Sequence, residues 1–205
     1  IDYMVQSLEL NRAYGAVTGN PRVRNRSTIL GRLQVSEFSS IIGLIKRAQS
    51  LMGTIFTVSG VCCLFRKDVM EEIGGWSTNM ITEDIDVSWK IQTAGYNIMY
   101  EPRALCWVLM PESLRGLYKQ RLRWAQGGAE TILKYFPQVW RWKNRRLWPM
   151  YAEYFITATW AILLVALAAL ALYRKIALGI GIQNMELFEI NISIMFFSFF
   201  LQIGR

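Results

Sequence analysis

The chain has 205 residues, of which 53% are hydrophobic, and its 23 Lys and Arg exceed its 15 Asp and Glu to give a net charge of +8. A sequence that is both apolar and basic favours membrane insertion with basic loops on the cytoplasmic side, or an anionic ligand. Nucleic acid is not the expected partner, because the basic residues form no single tract and no nucleic-acid motif is present. The absence of histidine and of any Cys-x-x-Cys pair argues against a zinc site and against a Ser-His-Asp or Cys-His nucleophile. A general base therefore has to be a carboxylate, or less plausibly Lys or Tyr.

Short strand and helix patterns alternate over residues 1–150, which is typical of an α/β domain. The elements expected first are a strand at 14–18 ended by a turn at Gly19-Asn20-Pro21, a helix at 27–50 capped by Ser27 or Thr28, an apolar segment rich in β-formers at 55–65 interrupted at Ser59-Gly60, and a helix at 66–73 ended by Gly74-Gly75. Those expected next are a helix from an N-cap at Thr82 to Ala94 with Gly95 as its stop, strands at 97–101 and 104–109, and a helix from Pro111 to Tyr135 that includes Gly127-Gly128.

The character of the sequence changes after residue 148. Residues 155–173 carry no charge and are long enough to cross a bilayer as a helix, whereas the uncharged run at 190–203 is too short to do so. Basic residues and tryptophans alternate at 140–148, as they do at a cytoplasmic membrane interface. We therefore predict a domain at 1–148 and a membrane region at 149–205, with one full transmembrane helix at about 153–173 and a truncated second helix at about 187–203. The alternative for the first helix is a buried helix of a large soluble protein.

Asp84 is the first candidate for chemistry. A carboxylate in the first turn of a helix is held at a defined angle by the exposed backbone N–H groups, and it can take a proton from a sugar hydroxyl as that hydroxyl attacks. The helix dipole lowers the pKa of such a carboxylate, so burial or a neighbour such as Glu83 has to raise it again. Taken alone, Thr82-Glu83-Asp84 is equally an ordinary acidic helix start.

The second candidate is Gln120-x-x-Arg123-Trp124, because positions i, i+3 and i+4 share one face of a helix. That face presents an amide, a guanidinium able to grip a diphosphate through two hydrogen bonds, and an indole suited to the C–H face of a sugar ring. The alternative is a core tryptophan on a solvated basic helix.

The order of these motifs, followed by a membrane segment, resembles the processive family-2 glycosyltransferases, which include cellulose, chitin, hyaluronan and poly-N-acetylglucosamine synthases. The segment Phe56-Thr57-Val58-Ser59-Gly60 resembles the loop at the acceptor end of the site in that family. Longer stretches are similar to the bacterial poly-β-1,6-N-acetylglucosamine synthases within it, namely 16–22, 40–47, 81–90, 100–107 and 120–130.

The resemblance implies a partial GT-A type nucleotide-sugar transferase fold followed by transmembrane helices. The implied reaction is an inverting transfer of N-acetylglucosamine from UDP-N-acetylglucosamine to a growing poly-β-1,6-N-acetylglucosamine chain, with no covalent sugar–enzyme intermediate. Asp84 would be the general base, and the substrate-binding residues would be Thr82, Glu83, Gln120, Arg123, Trp124, Ser59 and Gly60. Mg²⁺ or Mn²⁺ would sit on the donor diphosphate, held by an Asp-x-Asp motif upstream of this sequence, so no residue here is assigned to metal.

The resemblance also implies a bacterial inner-membrane protein with a cytoplasmic catalytic domain, a UDP-sugar donor, a polysaccharide acceptor, a lipid bilayer and a small membrane partner subunit as partners. Because the first half of the donor site is missing, the chain is expected to be a fragment that is inactive alone. Three alternatives stay open: a synthase of hyaluronan, chitin or cellulose, a non-enzymatic membrane protein with a degenerate transferase-like domain, and a membrane-surface binding module built on residues 141–148.

Overall fold

The computed structural model describes residues 1–178, whose first compact unit is Ile1–Met150 and whose second begins at Tyr151. The elements are α1 (Asp2–Glu9), β1 (Tyr14–Val23), α2 (Ile29–Phe38), a π-helical segment (Ser39–Ile45), α3 (Lys46–Leu51), β2 (Cys63–Phe65), α4 (Lys67–Glu72), α5 (Glu83–Ala94), β3 (Asn97–Val108), α6 (Leu114–Val139), a 3-10 helix (Trp142–Leu147) and α7 (Trp148–Leu178).

The sheet of the first unit has β1 at its centre, with β2 antiparallel on one side and β3 parallel on the other. The prediction that β1 ends in a turn at Gly19-Asn20-Pro21 is wrong, because the strand continues to Val23. The glycine allows close packing at this position, because a Cβ at Gly19 would lie 2.3 Å from the Sγ of Cys62 and 2.7 Å from the carbonyl oxygen of Ala104.

β3 is one continuous strand, although two strands were predicted. Its pairing with β1 shifts register between Thr18 and Asn20, and the residues between the two predicted strands form this irregularity. Asn20 donates a hydrogen bond from Nδ2 to the carbonyl oxygen of Pro102 at 2.9 Å, which holds the bulged backbone against β1. The contact joins residues far apart in sequence, so no local pattern could reveal it.

The β-rich pattern at 55–65 yields a strand only at Cys63–Phe65. The backbone of Ile55 donates to Oε1 of Gln92 at 2.9 Å and accepts from its Nε2 at 2.8 Å, and the N–H of Val58 donates to Oγ of Ser88 at 2.8 Å. Buried backbone groups need hydrogen-bond partners, and here side chains of α5 supply what a neighbouring strand would otherwise supply. The segment is therefore an ordered loop attached to α5.

Two apolar clusters cover the two faces of the sheet. The larger cluster consists of Ala16, Ile42, Ile55, Val58, Val69, Val87, Ile91, Ile98 and Tyr100, and the smaller one of Met4, Leu8, Val17 and Ala104. Because β1 is the middle strand, its successive side chains contribute to both clusters. The central strand is consequently buried over nearly all of its length.

The helix boundaries follow the capping signals in the sequence closely. Thr28 caps α2 by accepting a hydrogen bond from the N–H of Gly31, and Gly95 ends α5 with a φ of +116°, as predicted. The predicted helix from Pro111 begins later, at Leu114, because the hydroxyl of Ser113 accepts from the N–H of Gly116 and caps it. It also runs on to Val139 through Gly127-Gly128, and its interior includes a proline.

The helical stretch Trp142–Arg174 is long and apolar enough to cross a bilayer, judged by length and composition only. Its most apolar 18-residue window has a mean hydropathy of 2.4, and none of that window is buried. One such helix is weak evidence for a membrane protein. The predicted second helix at about 187–203 lies outside the described residues.

We predict that Gly19→Ala lowers the free energy of unfolding by about 1–3 kcal/mol, because the added methyl group collides with a backbone carbonyl that cannot rotate away. Gly43→Ala is the matched control, since a Cβ there meets nothing within 4 Å. Thermal unfolding of the purified variants measures both changes. Equal melting temperatures for Gly19→Ala and the unchanged protein would contradict the close packing described for β1.

Candidate active site

One face of α5 carries Asp84, Ser88 and Gln92, spaced at i, i+4 and i+8. Ser88 and Gln92 bond to the backbone of the loop at 55–58, so the loop runs along this face toward the start of the helix. Asp84 therefore meets the continuation of the loop at Gly60. A Cβ on Gly60 would lie 3.4 Å from Oδ2 of Asp84, so a side chain there would be in van der Waals contact with this carboxylate.

The Asp84 carboxyl group is half-buried, and its Oδ1 accepts a hydrogen bond from the N–H of Ile85 at 2.9 Å. Burial raises the pKa of Asp84 above its ordinary value, the Ile85 hydrogen bond opposes the increase, and the neighbouring charge of Glu83 adds to it. Asp84 is thus a fixed carboxylate of increased basicity beside an open glycine. This is the arrangement that a general base requires.

Thr82 lies under α6 rather than beside the Gly60 loop. It is 3% exposed, and a Cβ on Gly127 would lie 2.0 Å from its Oγ1. Thr82 occupies the N-cap position of α5, but its side chain makes no capping hydrogen bond, and the hydroxyl is buried without a partner among the described residues. Glu83 is exposed. Asp84 is the motif residue whose atoms lie nearest to a Cβ placed on Gly60.

α6 packs across α5, and the two helices run in the same direction from N-terminus to C-terminus. Gly127 packs on Thr82 at the start of α5, and Lys134 binds Asp86 further along it. With 3.6 residues per turn, Gln120 lies on the same face of α6 as Gly127. Trp124 and Gln120 precede Gly127 by about 5 Å and about 10 Å along the axis of α6, at 1.5 Å per residue.

Trp124 is held by neighbours on two helices. Its ring centroid lies 6.4 Å from that of Phe38 on α2, and the guanidinium of Arg121 lies over the ring at 4.4 Å. Arg121 is itself fixed by an ion pair with Glu37. No local pattern pointed to Glu37 or Phe38, because both lie far from the motif along the chain.

Two polar groups of the Gln120-x-x-Arg123-Trp124 motif lack partners among the described residues. Arg123 is exposed and makes no hydrogen bond or ion pair there, and Oε1 of Gln120 is buried without a hydrogen bond. No hydrogen bond or ion pair within residues 1–178 joins Asp84 to this motif. The structure brings Asp84 together with Gly60, with Ser59 next to it in the loop, and places Gln120, Arg123 and Trp124 on the adjoining turns of α6.

Lys46 is a buried charge near the candidate site that the motifs of the sequence did not indicate. Lys46 is 4% exposed. Among its charged neighbours, Asp84 has the largest effect on its pKa. Burial lowers the pKa of Lys46 from 10.5 to about 8, although the negative charge of Asp84 opposes that change. The signal that could have found it is its spacing from the core residue Ile42, one turn earlier on the same helical face.

Within residues 1–178, no group of three or more His, Cys, Asp and Glu side chains could hold a metal ion. The resemblance assigns the ligands of the divalent cation to an Asp-x-Asp motif upstream of this sequence.

We predict that Lys46→Met raises the free energy of unfolding at neutral pH by on the order of 2 kcal/mol, because an apolar chain of similar length removes the burial of an ammonium group. With the folded pKa below the unfolded one, the unfolded state binds more protons between pH 8 and 10.5. Stability of the unchanged protein should then rise over that range, and Lys46→Met should lose this increase. Denaturant unfolding at a series of pH values measures both effects. Lower stability of Lys46→Met at pH 7 would show that a favourable ion pair outweighs burial.

Relatives of known sequence match almost the whole chain. It is 46% identical over 198 residues to a poly-beta-1,6-N-acetyl-D-glucosamine synthase of Staphylococcus epidermidis, and the match covers 97% of this chain and 47% of the relative. It is 50% identical over 158 residues to the enzyme of the same name from Staphylococcus aureus (strain COL), where the match covers 77% of this chain and 38% of the relative. The chain thus spans less than half the length of these curated relatives.

A solved mannosyltransferase from Pyrobaculum calidifontis, in complex with GDP-Man and Mn²⁺, superposes with a TM-score of 0.50. The two chains are 23% identical, and the match covers 84% of this chain and 51% of the other. This likeness confirms the predicted GT-A-like α/β fold. The profile of Glycosyl transferase family group 2 matches residues 3–203. The chain therefore belongs to glycosyl transferase family group 2, as the order of its motifs predicted.

Proposed function

We propose that this chain carries the acceptor half of the active site of a membrane-bound glycosyltransferase that transfers N-acetylglucosamine from UDP-N-acetylglucosamine to a growing poly-β-1,6-N-acetylglucosamine chain. The observation that carries the proposal is the half-buried carboxyl group of Asp84, with a raised pKa and fixed beside Gly60. The names of the staphylococcal relatives, at 46% and 50% identity, support this polymer over hyaluronan, chitin or cellulose.

Asp84 acts as the general base in this proposal. Its carboxylate accepts the proton of the acceptor hydroxyl while that oxygen forms a bond to the anomeric carbon of the donor sugar, and the bond from that carbon to the UDP oxygen breaks. One displacement of this kind inverts the anomeric configuration and needs no covalent sugar–enzyme intermediate. Burial raises the pKa of Asp84, which brings it closer to the working pH and makes the proton transfer more favourable.

The motif on α6 binds the two groups that flank the reaction. The exposed guanidinium of Arg123 grips the diphosphate that departs with the nucleotide, because a planar fork matches two phosphate oxygens at once. Trp124 offers its indole to the apolar face of the acceptor sugar, and its contacts with Phe38 and Arg121 fix the ring before the sugar binds. Gln120 contributes its side-chain amide to the same acceptor-binding face of α6.

The proposed substrate-binding set also includes Ser59, Thr82 and Glu83. These residues support the site through a backbone hydrogen bond, through packing and through charge. The N–H of Ser59 donates to the hydroxyl of Thr18 at 2.9 Å, which ties the loop that carries Gly60 to β1. The buried packing of Thr82 against Gly127 gives it a part in fixing α5 against α6 rather than a direct contact with sugar. Glu83 is exposed, and its charge contributes to the raised pKa of Asp84.

A divalent cation, Mg²⁺ or Mn²⁺, is part of the proposal, with its ligands upstream of this chain. When bound, such an ion neutralises charge on the donor diphosphate. Support comes from the structurally similar mannosyltransferase, which was solved with Mn²⁺ and a nucleotide sugar.

The apolar helix α7 supports a location in the bacterial inner membrane with the catalytic domain in the cytoplasm. Large apolar side chains are exposed along its length, among them Ile156, Ile162 and Val165, and a helix that is apolar all round suits a lipid environment. The exposed Trp142, with the guanidinium of Arg145 5.2 Å from its ring, suits the headgroup layer. A small membrane subunit as partner belongs to the same proposal.

We predict that Asp84→Asn lowers polymer synthesis at least about 100-fold in the full-length enzyme, because an amide cannot accept the proton of the acceptor hydroxyl. Binding of UDP should persist, because the base does not hold the nucleotide. Incorporation of labelled N-acetylglucosamine in membranes measures the first effect and equilibrium dialysis the second. Asp68→Asn, at an exposed carboxylate of α4, is the matched control and should retain full activity. Ordinary polymer yield from Asp84→Asn would rule out its role as the base.

We predict that Arg123→Lys lowers kcat/KM at least about tenfold, because the ammonium group of lysine cannot make the two parallel hydrogen bonds of a guanidinium. Steady-state kinetics in the full-length enzyme measure this change. Arg115→Lys, at an exposed arginine near the start of the same helix, should leave the kinetics unchanged. Unchanged kinetics in both variants would mean that Arg123 is an ordinary surface charge.

A further inference from the structure

Asp86 is a buried carboxylate that the proposed reaction does not use. It lies two residues after Asp84 on α5, and at about 100° per residue the two side chains leave the helix on nearly opposite sides. Asp84 faces the Gly60 loop, whereas Asp86 faces α6 and is 0% exposed. Burying a charge is unfavourable unless partners compensate for it, so the burial of Asp86 has to be explained by its contacts.

Two groups of α6 bind one oxygen of the Asp86 carboxylate. Lys134 donates from Nζ to Oδ1 at 2.7 Å, and Tyr135 donates from its hydroxyl to the same oxygen at 3.0 Å. The ammonium group of Lys134 also lies 3.4 Å from the hydroxyl of Ser77. Burial alone would raise the pKa of Asp86, but the hydrogen bond from Lys134 and its charge keep that pKa below the ordinary value. Asp86 is therefore charged in the folded protein and depends on α6 for its partners.

The ring of Tyr135 adds an apolar contact to this polar one. It stacks on the fully buried Trp89 of α5, with the ring centroids 6.0 Å apart and the planes inclined by 29°. Asp86 and Trp89 lie one turn apart on α5, so Lys134 and Tyr135 bind two successive positions of that helix. Both the sliding and the rotation of α6 along α5 are restrained by this set.

α6 is a continuous helix from the motif to these contacts. Trp124 precedes Lys134 by about 15 Å along the axis, at 1.5 Å per residue. Gly127 packs on Thr82 between them, and its missing side chain sets how closely the helices approach. The close contact at Gly127 and the contacts at Asp86 thus fix two points of α6 on α5. They help to set the position of the end that carries Gln120, Arg123 and Trp124, which also contacts α2 through Trp124 and Arg121.

We propose that Asp86, Lys134 and Tyr135 form a positioning clamp, which holds the acceptor-binding face of α6 in register with Asp84. The clamp touches neither the sugar nor the diphosphate, and it acts through the helix that carries Trp124. This inference rests on the proposed function, because it assumes that α6 binds the acceptor.

Acceptor binding can be measured without turnover in the full-length enzyme carrying Asp84→Asn. Isothermal titration calorimetry with a β-1,6-linked N-acetylglucosamine pentasaccharide gives the Kd and the binding stoichiometry separately. The variants to compare in this background are Lys134→Met, Asp86→Asn, their double variant and Tyr135→Phe. Lys67→Met is the control, because it removes an exposed ion pair within α4, between Lys67 and Glu71 at 3.7 Å.

The clamp predicts a Kd raised about tenfold by Lys134→Met and about threefold by the milder Tyr135→Phe, which keeps the ring on Trp89. The double variant should also show about a tenfold increase rather than a hundredfold one, because the two residues act as one unit. A merely structural role would instead lower the stoichiometry, through loss of folded protein, and leave the Kd of the remainder unchanged.

Two results would overturn the clamp and can be told apart. If the Asp84→Asn enzyme binds the pentasaccharide and the Kd of both Lys134→Met and Tyr135→Phe stays within twofold, the clamp is wrong while the proposed function stands. If Lys134→Met does not fold, Tyr135→Phe decides alone. If the Asp84→Asn enzyme itself does not bind the pentasaccharide, the proposed acceptor is wrong and the clamp falls with it.

Discussion

Side chains of α5 supply hydrogen bonds to the backbone of Ile55 and Val58, and the position of Gly60 beside Asp84 depends on them. Ser88 and Gln92 saturate the backbone N–H groups of Val58 and Ile55, and Gln92 also saturates the carbonyl of Ile55. Since an unpaired buried amide is unfavourable, the loop has one low-energy path along the helix. That path ends with Gly60 against Asp84. The loop beside the candidate base is thereby attached to a rigid element without being part of the sheet.

α5 is consequently bound on two sides, by this loop and by α6. The contact with α6 is close because Gly127 has no side chain to collide with that of Thr82. Glycine inside a helix usually costs roughly 0.5–1 kcal/mol relative to alanine, so its presence here is explained by the approach it permits to Thr82. The same face of α6 then has two uses along its length. Its second half is packed on α5, and its first half extends past α5 with polar groups unsatisfied.

Asp84, Asp86 and Lys46 are buried or half-buried ionisable groups of this unit, and each is accommodated differently. Asp86 is paired with Lys134 and stays charged, with a lowered pKa. Lys46 has no ion pair within 4 Å among the described residues, and burial lowers its pKa to about 8. Asp84 keeps a raised pKa beside an open glycine. The pair at Asp86 is what a stable helix contact needs, whereas a carboxylate with a raised pKa and no cationic partner in contact suits proton transfer.

The sequence by itself determined the α/β class, the helix boundaries at Thr28 and Gly95, and the family, through the order of its motifs. The helix boundaries depend on residues within one or two turns of each other, which local capping describes, and the family depends on the order of short motifs along the chain. Only the tertiary structure decided that β1 continues through Gly19, that the segment at 55–62 is a loop and that Thr82 is buried under α6. It alone also revealed the buried Lys46. Each of these depends on contacts between residues distant in the chain, where hydrogen-bond satisfaction and close packing override local propensity.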